Sequence, residues 1–183
     1  MATADPRLVK HAFGRLCIAP TNLAAAFPHG GTALGLTAEV NFRPVQRMRE
    51  VRAEEFGGEV VEIIVGREDV VLAATIRGWD SDALQRVFVR TAAGTSGERV
   101  VSYPGSVRAG TLGSDRSVVL LFSPRNTEHH PAILIYRAVP IVDESVSIPL
   151  AQKREIVAQV VFRGIRDASD RVYACGRLED LSL

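Results

Sequence analysis

The sequence predicts a mainly β protein, an antiparallel β-sandwich or barrel with one short α-helix packed against it and long loops. Most apolar stretches are short, rich in β-branched residues and bounded by turn residues, as the strands of such folds are. A single segment, residues 80–88, places its apolar side chains on one face of a helix. The chain has no internal repeat and no coiled-coil heptad, which leaves a sandwich or barrel with one helix as the expected architecture.

The chain is expected to form a single β domain that spans residues 1–183. Its first 35 residues are expected to form an irregular N-terminal arm. Pro6, Pro20 and Pro28 interrupt this segment too often for a long helix. With 183 residues and 46% hydrophobic content, the chain can bury a sizeable core in one domain.

Two strands are expected after this arm. Residues 36–42 alternate apolar and polar side chains, as a half-buried strand does. Residues 47–53 alternate less regularly and should pair with a neighbouring strand despite their arginines. The sequence Glu54-Glu55-Phe56-Gly57-Gly58 is expected to end that strand.

The most informative segment follows and predicts a hairpin and then the helix. Its strands are residues 60–65 and 70–76, and Gly66-Arg67-Glu68-Asp69 between them reads as a solvated turn. Asp80 lies where an N-cap belongs, because its carboxylate can accept a hydrogen bond from the free amides of the first helical turn. Trp79 precedes the cap and is expected to anchor the helix on the sheet.

Four further strands are expected in the second half, after long loops at residues 91–97 and 103–115. These strands are residues 118–122, 133–139, 156–165 and 171–176. The first of them is continuously apolar, which indicates burial on both faces. Pro140 is expected to end the second.

Composition excludes several classes of protein. The 22 basic and 21 acidic residues nearly cancel, whereas a dedicated nucleic-acid binder usually carries a basic excess. No apolar run is long enough to span a bilayer, and the N-terminus lacks the apolar stretch of a signal peptide. Cys17 and Cys175 lie outside any CxxC motif, so they are either two reduced thiols or a disulfide that joins the ends.

No group of residues predicts catalysis, a cofactor or a metal. Neighbouring residues in an extended segment point to opposite faces, so His129 and His130 cannot easily bind one ion together. The glycine pairs lack the lysine and helix that a phosphate loop requires. The chain is therefore expected not to be an enzyme.

Arginine is abundant and lysine is scarce, and arginine suits interface ion pairs better than lysine does. The candidate inter-subunit interface consists of Arg43, Arg47, Arg49, Arg52, Glu54, Glu55 and Phe56. Opposed charges could hold such an interface in register. An ordinary solvated face explains the same pattern, because exposed ion pairs contribute little.

Four structural motifs occur in order along most of the chain. They are residues 14–20 with 28–35, residues 51–57, residues 77–84, and residues 148–165 with 176–178. Together they resemble the tail tube proteins of tailed bacteriophages and prophages. None of these motifs is catalytic.

The resemblance implies a structural virion protein, assembled in the host cytoplasm and located in the virion tail. Six copies would form a ring, and rings would stack into a tail tube through which DNA is delivered. The implied partners are other copies of the chain, a tape measure protein in the lumen, baseplate and neck proteins, and a sheath protein if the tail is contractile. DNA would pass without specific binding along an acidic or neutral wall, for which the candidate residues are Glu39, Glu59, Glu62 and Glu155. No membrane is implied.

Two alternatives stay open at the level of sequence. One is a neck, tail-terminator or baseplate-proximal ring protein of the same fold. The other is a monomeric β-barrel module that binds a small ligand. The oligomeric state of the purified protein separates the second alternative from the others.

Overall fold

The computed structural model describes residues 14–77, 112–127, 130–141 and 157–183, which form one antiparallel sheet of eight strands. The strands are β1 (Gly14–Ile18), β2 (Thr32–Ala33), β3 (Leu36–Ala53), β4 (Glu59–Arg77), β5 (Val118–Pro124), β6 (Ala132–Ile141), β7 (Val157–Gly164) and β8 (Tyr173–Gly176). Their order across the sheet is β2-β1-β5-β6-β7-β4-β3, and β8 pairs with β6. The mainly β fold class is confirmed. The helical segments among the described residues are all short 3-10 turns.

The sheet curls around its main core. β1 contacts β3 although the two strands lie near opposite ends of the strand order. The enclosed side chains include Leu16, Leu72, Phe122, Ile135 and Phe162. This interior is filled by side chains, so the curled sheet holds a packed core and not a ligand chamber.

A second, smaller core lies on the outer face of β1, β5 and β6. Cys17, Leu121 and Leu134 are buried there, and Phe27 and Leu178 pack against them from the loop after β1 and from the C-terminal segment. Because both faces of β5 are covered, its continuous apolar sequence is explained, and the expected burial on both faces is confirmed.

The prediction of a turn at Gly66-Arg67-Glu68-Asp69 is wrong. These residues belong to the 19-residue strand β4, and the two strands expected between residues 36 and 53 are likewise one 18-residue strand, β3. The turn lies instead at Glu54–Phe56, where Gly57 has a φ of 69° and donates a hydrogen bond to the Glu54 carbonyl. Long-range pairing with β3 overrides the local turn pattern, and Gly66 remains only as a register shift in the ladder.

Two further details differ from the sequence-based expectation, and a third part of it is not tested. Residues 14–18, expected to be irregular, form the buried strand β1. Pro140 does not end β6, because the strand continues to Ile141 and Pro140 pairs in register with Phe162. Trp79 and Asp80, with the predicted helix, lie outside the described residues, as does the loop at residues 91–97.

Gly31 provides a test of the packing between β1 and the loop that covers it. A Cβ atom at Gly31 would lie 2.5 Å from the Ile18 carbonyl oxygen and 2.8 Å from that of Ala19. Gly31→Ala should therefore lower the free energy of unfolding by about 1–3 kcal/mol, because backbone must shift to make room. Chemical denaturation checks this, with Gly66→Ala as the control, since its Cβ would meet only the Arg47 carbonyl oxygen at 3.4 Å. Equal losses in both variants would contradict the packing described here.

Candidate assembly interface

One part of the sheet extends beyond the packed body. β4 pairs with β7 only from Val70 to Arg77, and on its other side it pairs with β3 along its whole length. Residues 45–69 therefore form a two-stranded ribbon, called here the projecting ribbon, which ends in the turn at Glu54–Phe56. An isolated two-stranded hairpin is at best marginally stable in water, so this ribbon has the geometry of a segment that needs a partner.

The projecting ribbon carries apolar side chains that lie on the surface. Seven of them are between 42% and 62% exposed: Val45, Met48, Val60, Val61, Ile63, Ile64 and Val65. Large apolar side chains exposed singly are common on soluble proteins, whereas a group of them on one segment is typical of an interaction site.

These side chains occupy both faces of the ribbon. Val40 and Phe42 of β3 point toward the core, so the even-numbered residues that follow them along β3 share the core side of the ribbon. Met48 and its register partner Val65 lie on that face, as does Ile63, the partner of Glu50. Ile64 pairs with Arg49 and lies on the opposite face. Both faces of the ribbon therefore carry exposed apolar side chains.

The two long edges of the ribbon differ in charge. Residues 45–53 on β3 contain three arginines and one glutamate, whereas residues 59–69 on β4 contain four acidic residues and one arginine. Among the described strands, β3 has no partner on its outer side, and β4 has none on its β7 side beyond Val70. The β3 edge is thus flanked by mostly basic side chains, and the β4 edge by mostly acidic ones.

The predicted interface residues lie on this ribbon or next to it. Arg43, Arg47, Arg49 and Arg52 are exposed along β3, and Glu54 and Glu55 are exposed in the turn. Arg52 donates a hydrogen bond to Glu50 at 2.7 Å. Arg47, Arg49 and Arg52 were expected on a strand of residues 47–53, and they lie on the longer strand β3 together with Arg43. The backbone of Phe56 belongs to the turn, and its side chain lies outside the described atoms.

The exposed apolar residues of the ribbon are absent from the interface predicted from the sequence. The run 60–65 has almost no polar alternation, and it was interpreted as an ordinary hairpin strand. A continuous apolar run is the normal signature of a strand buried on both faces. Here the run is about half exposed, and no described residue covers it.

The base of the ribbon holds its best-connected polar groups. Asp69 is only 9% exposed, and it accepts a hydrogen bond from Arg163 at 3.2 Å and lies 3.6 Å from Arg47. On the other face, the phenol of Tyr173 faces the Glu68 carboxylate, and the Tyr173 ring contacts Phe42 edge-on with 5.3 Å between centroids.

Burial raises the pKa of Tyr173 above its usual value of 10.0, and the charge and hydrogen bond of Glu68 raise it further. Since the folded state then holds the phenol proton more tightly than the unfolded state, stability should be unaffected below pH 10 and fall as the pH rises through the folded-state pKa. Tyr173→Phe should remove this component of the alkaline loss. Thermal unfolding of both proteins above neutral pH measures the difference, and parallel curves would contradict the contact.

The described residues do not assemble a chemical site. No group of three or more potential metal ligands occurs among them, and no described helix is long and apolar enough to cross a membrane. His29 lies in the loop after β1 and is buried, and its Nε2 lies 3.1 Å from the Ser123 hydroxyl. Cys17 is buried and Cys175 is exposed, and the two do not form a disulfide, so that alternative is not realised.

The wall residues proposed from the resemblance are only partly placed. Glu39, Glu59 and Glu62 are exposed, and their register places all three on the face of β3 and β4 that points away from the core. Arg43 and Arg49 lie on the same face, so the acidic character of a wall there stays a prediction. Glu155 lies outside the described residues.

No protein-family model and no curated protein matches the chain. Among solved structures, the chain is similar to the tail of an empty GTA particle, obtained by helical refinement with C6 symmetry, at 8% identity and a TM-score of 0.41, over 88% of this chain and 93% of that one. It is also similar to the tube-terminating cap of the anti-feeding prophage, at 8% identity and a TM-score of 0.47, over 97% of this chain and 95% of that one. At this identity neither likeness assigns a function, which has to be argued from the residues of the chain itself.

Proposed function

We propose that this protein is a structural subunit that assembles with copies of itself into rings through the projecting ribbon, as a tail tube protein of a phage or prophage does. The observation that carries the proposal is the ribbon itself, which has exposed apolar side chains on both faces and two edges of opposite charge that no described strand pairs with.

The two edges favour head-to-tail pairing of copies. If the basic β3 edge of one ribbon meets the acidic β4 edge of the next, the backbone groups of both edges find hydrogen-bond partners and the charges are complementary. Copies related by rotation about an axis along the strands would place β3 beside an oppositely directed β4, which is the antiparallel arrangement. Such a heterologous contact closes into a ring or continues into a filament.

The two faces favour the same conclusion. A twofold dimer that buried one face of the ribbon would leave the other face in water. A closed ring of ribbons puts one face inside and one outside, where the subunit bodies or a stacked ring can cover it. The resemblance to tail tube proteins supplies six as the number of copies and a stacked tube as the final assembly.

Burial of the ribbon's apolar side chains would offset much of the free-energy cost of association. Complete burial of a Val, Ile or Met side chain contributes about 1.5–3 kcal/mol. The seven apolar side chains of the ribbon are about half exposed, so covering them contributes roughly 1 kcal/mol each. Together these side chains contribute a free energy of the same order as the cost of association, which is about 4–15 kcal/mol. Hydrogen bonds between paired edges would add to the favourable contribution.

The proposal includes the partners that a tail tube requires. The ring lumen would admit a tape measure protein and later the DNA, whose passage needs weak and non-specific contact because phosphate binding would hold it in place. Sheath, neck and baseplate proteins would contact the outer surface or the ends of the tube. We propose no catalytic activity for this subunit.

Electron microscopy of the purified protein in negative stain tests the proposal. Stacked tubes support a tail tube subunit, and single rings that do not stack support a neck, terminator or baseplate-proximal ring protein. Particles the size of one chain would contradict both forms of the proposal and favour a monomeric binding module.

A further inference from the structure

The sheet divides at one defined level, and the projecting ribbon begins there. Val70 of β4 pairs with Gly164, the last residue of β7. After residues 165–172 the chain returns as β8, which continues along β6 from Tyr173 onward. Beyond this level β4 no longer has a described neighbour on that side. The direction of the ribbon is therefore set by the few groups that connect the two branches.

On one face the connection is Asp69. It is 9% exposed, and its two carboxylate oxygens face different branches of the sheet. Oδ1 accepts a hydrogen bond at 3.2 Å from Nη2 of Arg163, which belongs to the body strand β7. Oδ2 lies 3.6 Å from Nε of Arg47, which belongs to the ribbon. A carboxylate between two guanidinium groups has a strong directional preference, so Asp69 couples the ribbon to the body.

On the other face the connection is Glu68. Its carboxylate faces the phenol of Tyr173 at the start of β8, whose pKa it helps to raise. It also accepts a hydrogen bond from Gln46 of β3 at 3.4 Å. Because adjacent residues of a strand point to opposite faces, Glu68 and Asp69 hold the ribbon from both sides.

A bend in the ladder follows immediately. The register shifts between Arg47 and Met48, and Gly66 is the extra residue of β4 at this shift. A β-bulge bends the strand that carries it and increases the local twist. The ribbon thus changes direction at the point where the two acidic residues connect it to the body.

We propose that Glu68 and Asp69 form a two-sided clasp that fixes the angle of the ribbon relative to the body, and that Asp69 is its principal positioning residue. The role in assembly rests on the proposed function, because ribbons can pair edge to edge around a ring only if every copy presents them at the same angle. The clasp itself is a property of one chain, and it is measurable whether or not rings form.

The test measures the ribbon angle with two spin labels. Cys175 on β8 is an exposed native thiol, and Cys17 is buried. Ala53→Cys adds a second label at the end of β3, next to the turn of the ribbon. Labelled chains are diluted into an excess of unlabelled protein, so that the measured distance is that within one chain. Pulsed electron paramagnetic resonance gives the distance distribution, and sedimentation gives the assembled fraction.

Asp69→Asn keeps the size of the side chain and removes its charge, and Arg163→Gln removes the body-side partner. We expect both variants to broaden the distance distribution and to weaken self-association about tenfold. Glu50→Gln is the matched control, since it breaks an exposed ion pair with Arg52 on the same ribbon and should leave the distance unchanged.

The outcomes separate the clasp from the proposed function. A broadened distribution in a protein that is monomeric even as wild type supports the clasp and contradicts ring assembly. An unchanged distribution in folded Asp69→Asn or Arg163→Gln overturns the clasp, whatever the oligomeric state. If Asp69→Asn does not fold, Arg163→Gln decides, because the Arg163 side chain is 42% exposed and its replacement leaves the core intact.

Discussion

Replacing Ile63 and Ile64 by glutamine should abolish self-association and leave the fold intact. The two residues lie on opposite faces of the projecting ribbon and are 52% and 51% exposed in the single chain. Each glutamine loses apolar burial in the assembly and buries an amide, which costs about 1–3 kcal/mol when it finds no hydrogen-bond partner. A ring repeats this loss at every interface, so the combined effect is larger than that of a mutation in one dimer contact.

Sedimentation velocity measures the effect, and circular dichroism checks that the strands remain. The matched control is Leu112→Gln, which introduces the same amide at a residue that is 65% exposed outside the ribbon. We expect the control to assemble as the wild type does. A double variant that assembles normally would show that other surfaces hold the copies together.

Phe162→Ala should destabilise the folded chain by about 3–5 kcal/mol. Phe162 is fully buried in the main core, and its strand β7 lies between β4 and β6. Leu72 and Pro140 flank it as register partners on the two neighbouring strands. The loss is a large share of the roughly 5–15 kcal/mol that stabilises a typical domain.

Urea denaturation measures this loss. Val161→Ala is the control on the same strand, because Val161 points to the opposite face and is only partly buried. It should cost clearly less. Similar losses for the two variants would mean that the main core does not lie on the Phe162 side of β7.

The fold class was predictable because the signals for it are local. β-Branched runs at residues 118–122, 133–139 and 156–165 gave three strands close to β5, β6 and β7. Their apolar periodicity depends on which face of the strand is buried, and not on which other strands bury it. The break after residue 53 was also predicted, since Gly57 supplies the positive φ that the turn requires.

The length of the hairpin was not predictable in the same way. Gly66-Arg67-Glu68-Asp69 has the composition of a turn, and only its pairing with β3 over the whole length makes it strand. The role of Asp69 depends on Arg163, which lies 94 residues away in the sequence. No periodicity within one segment contains that contact.

The interface stays a prediction, and its candidate residues, such as Arg47 and Arg49, were chosen from the sequence for their charges. The structure adds the exposed apolar residues between them, whose burial in an assembly would contribute more than exposed ion pairs do. The exposure of a side chain depends on the tertiary structure. The sequence of an apolar strand therefore does not indicate whether residues of the same chain or of another copy bury it.

The mass of the wild-type protein in solution tests the central claim most directly. Sedimentation equilibrium over a wide range of concentration should show a closed assembly of six 19.8 kDa chains, or stacks of it, and the Ile63→Gln/Ile64→Gln variant should sediment as one chain. A wild-type protein with the mass of a single chain at every concentration would contradict the account, because the projecting ribbon would then remain uncovered in water.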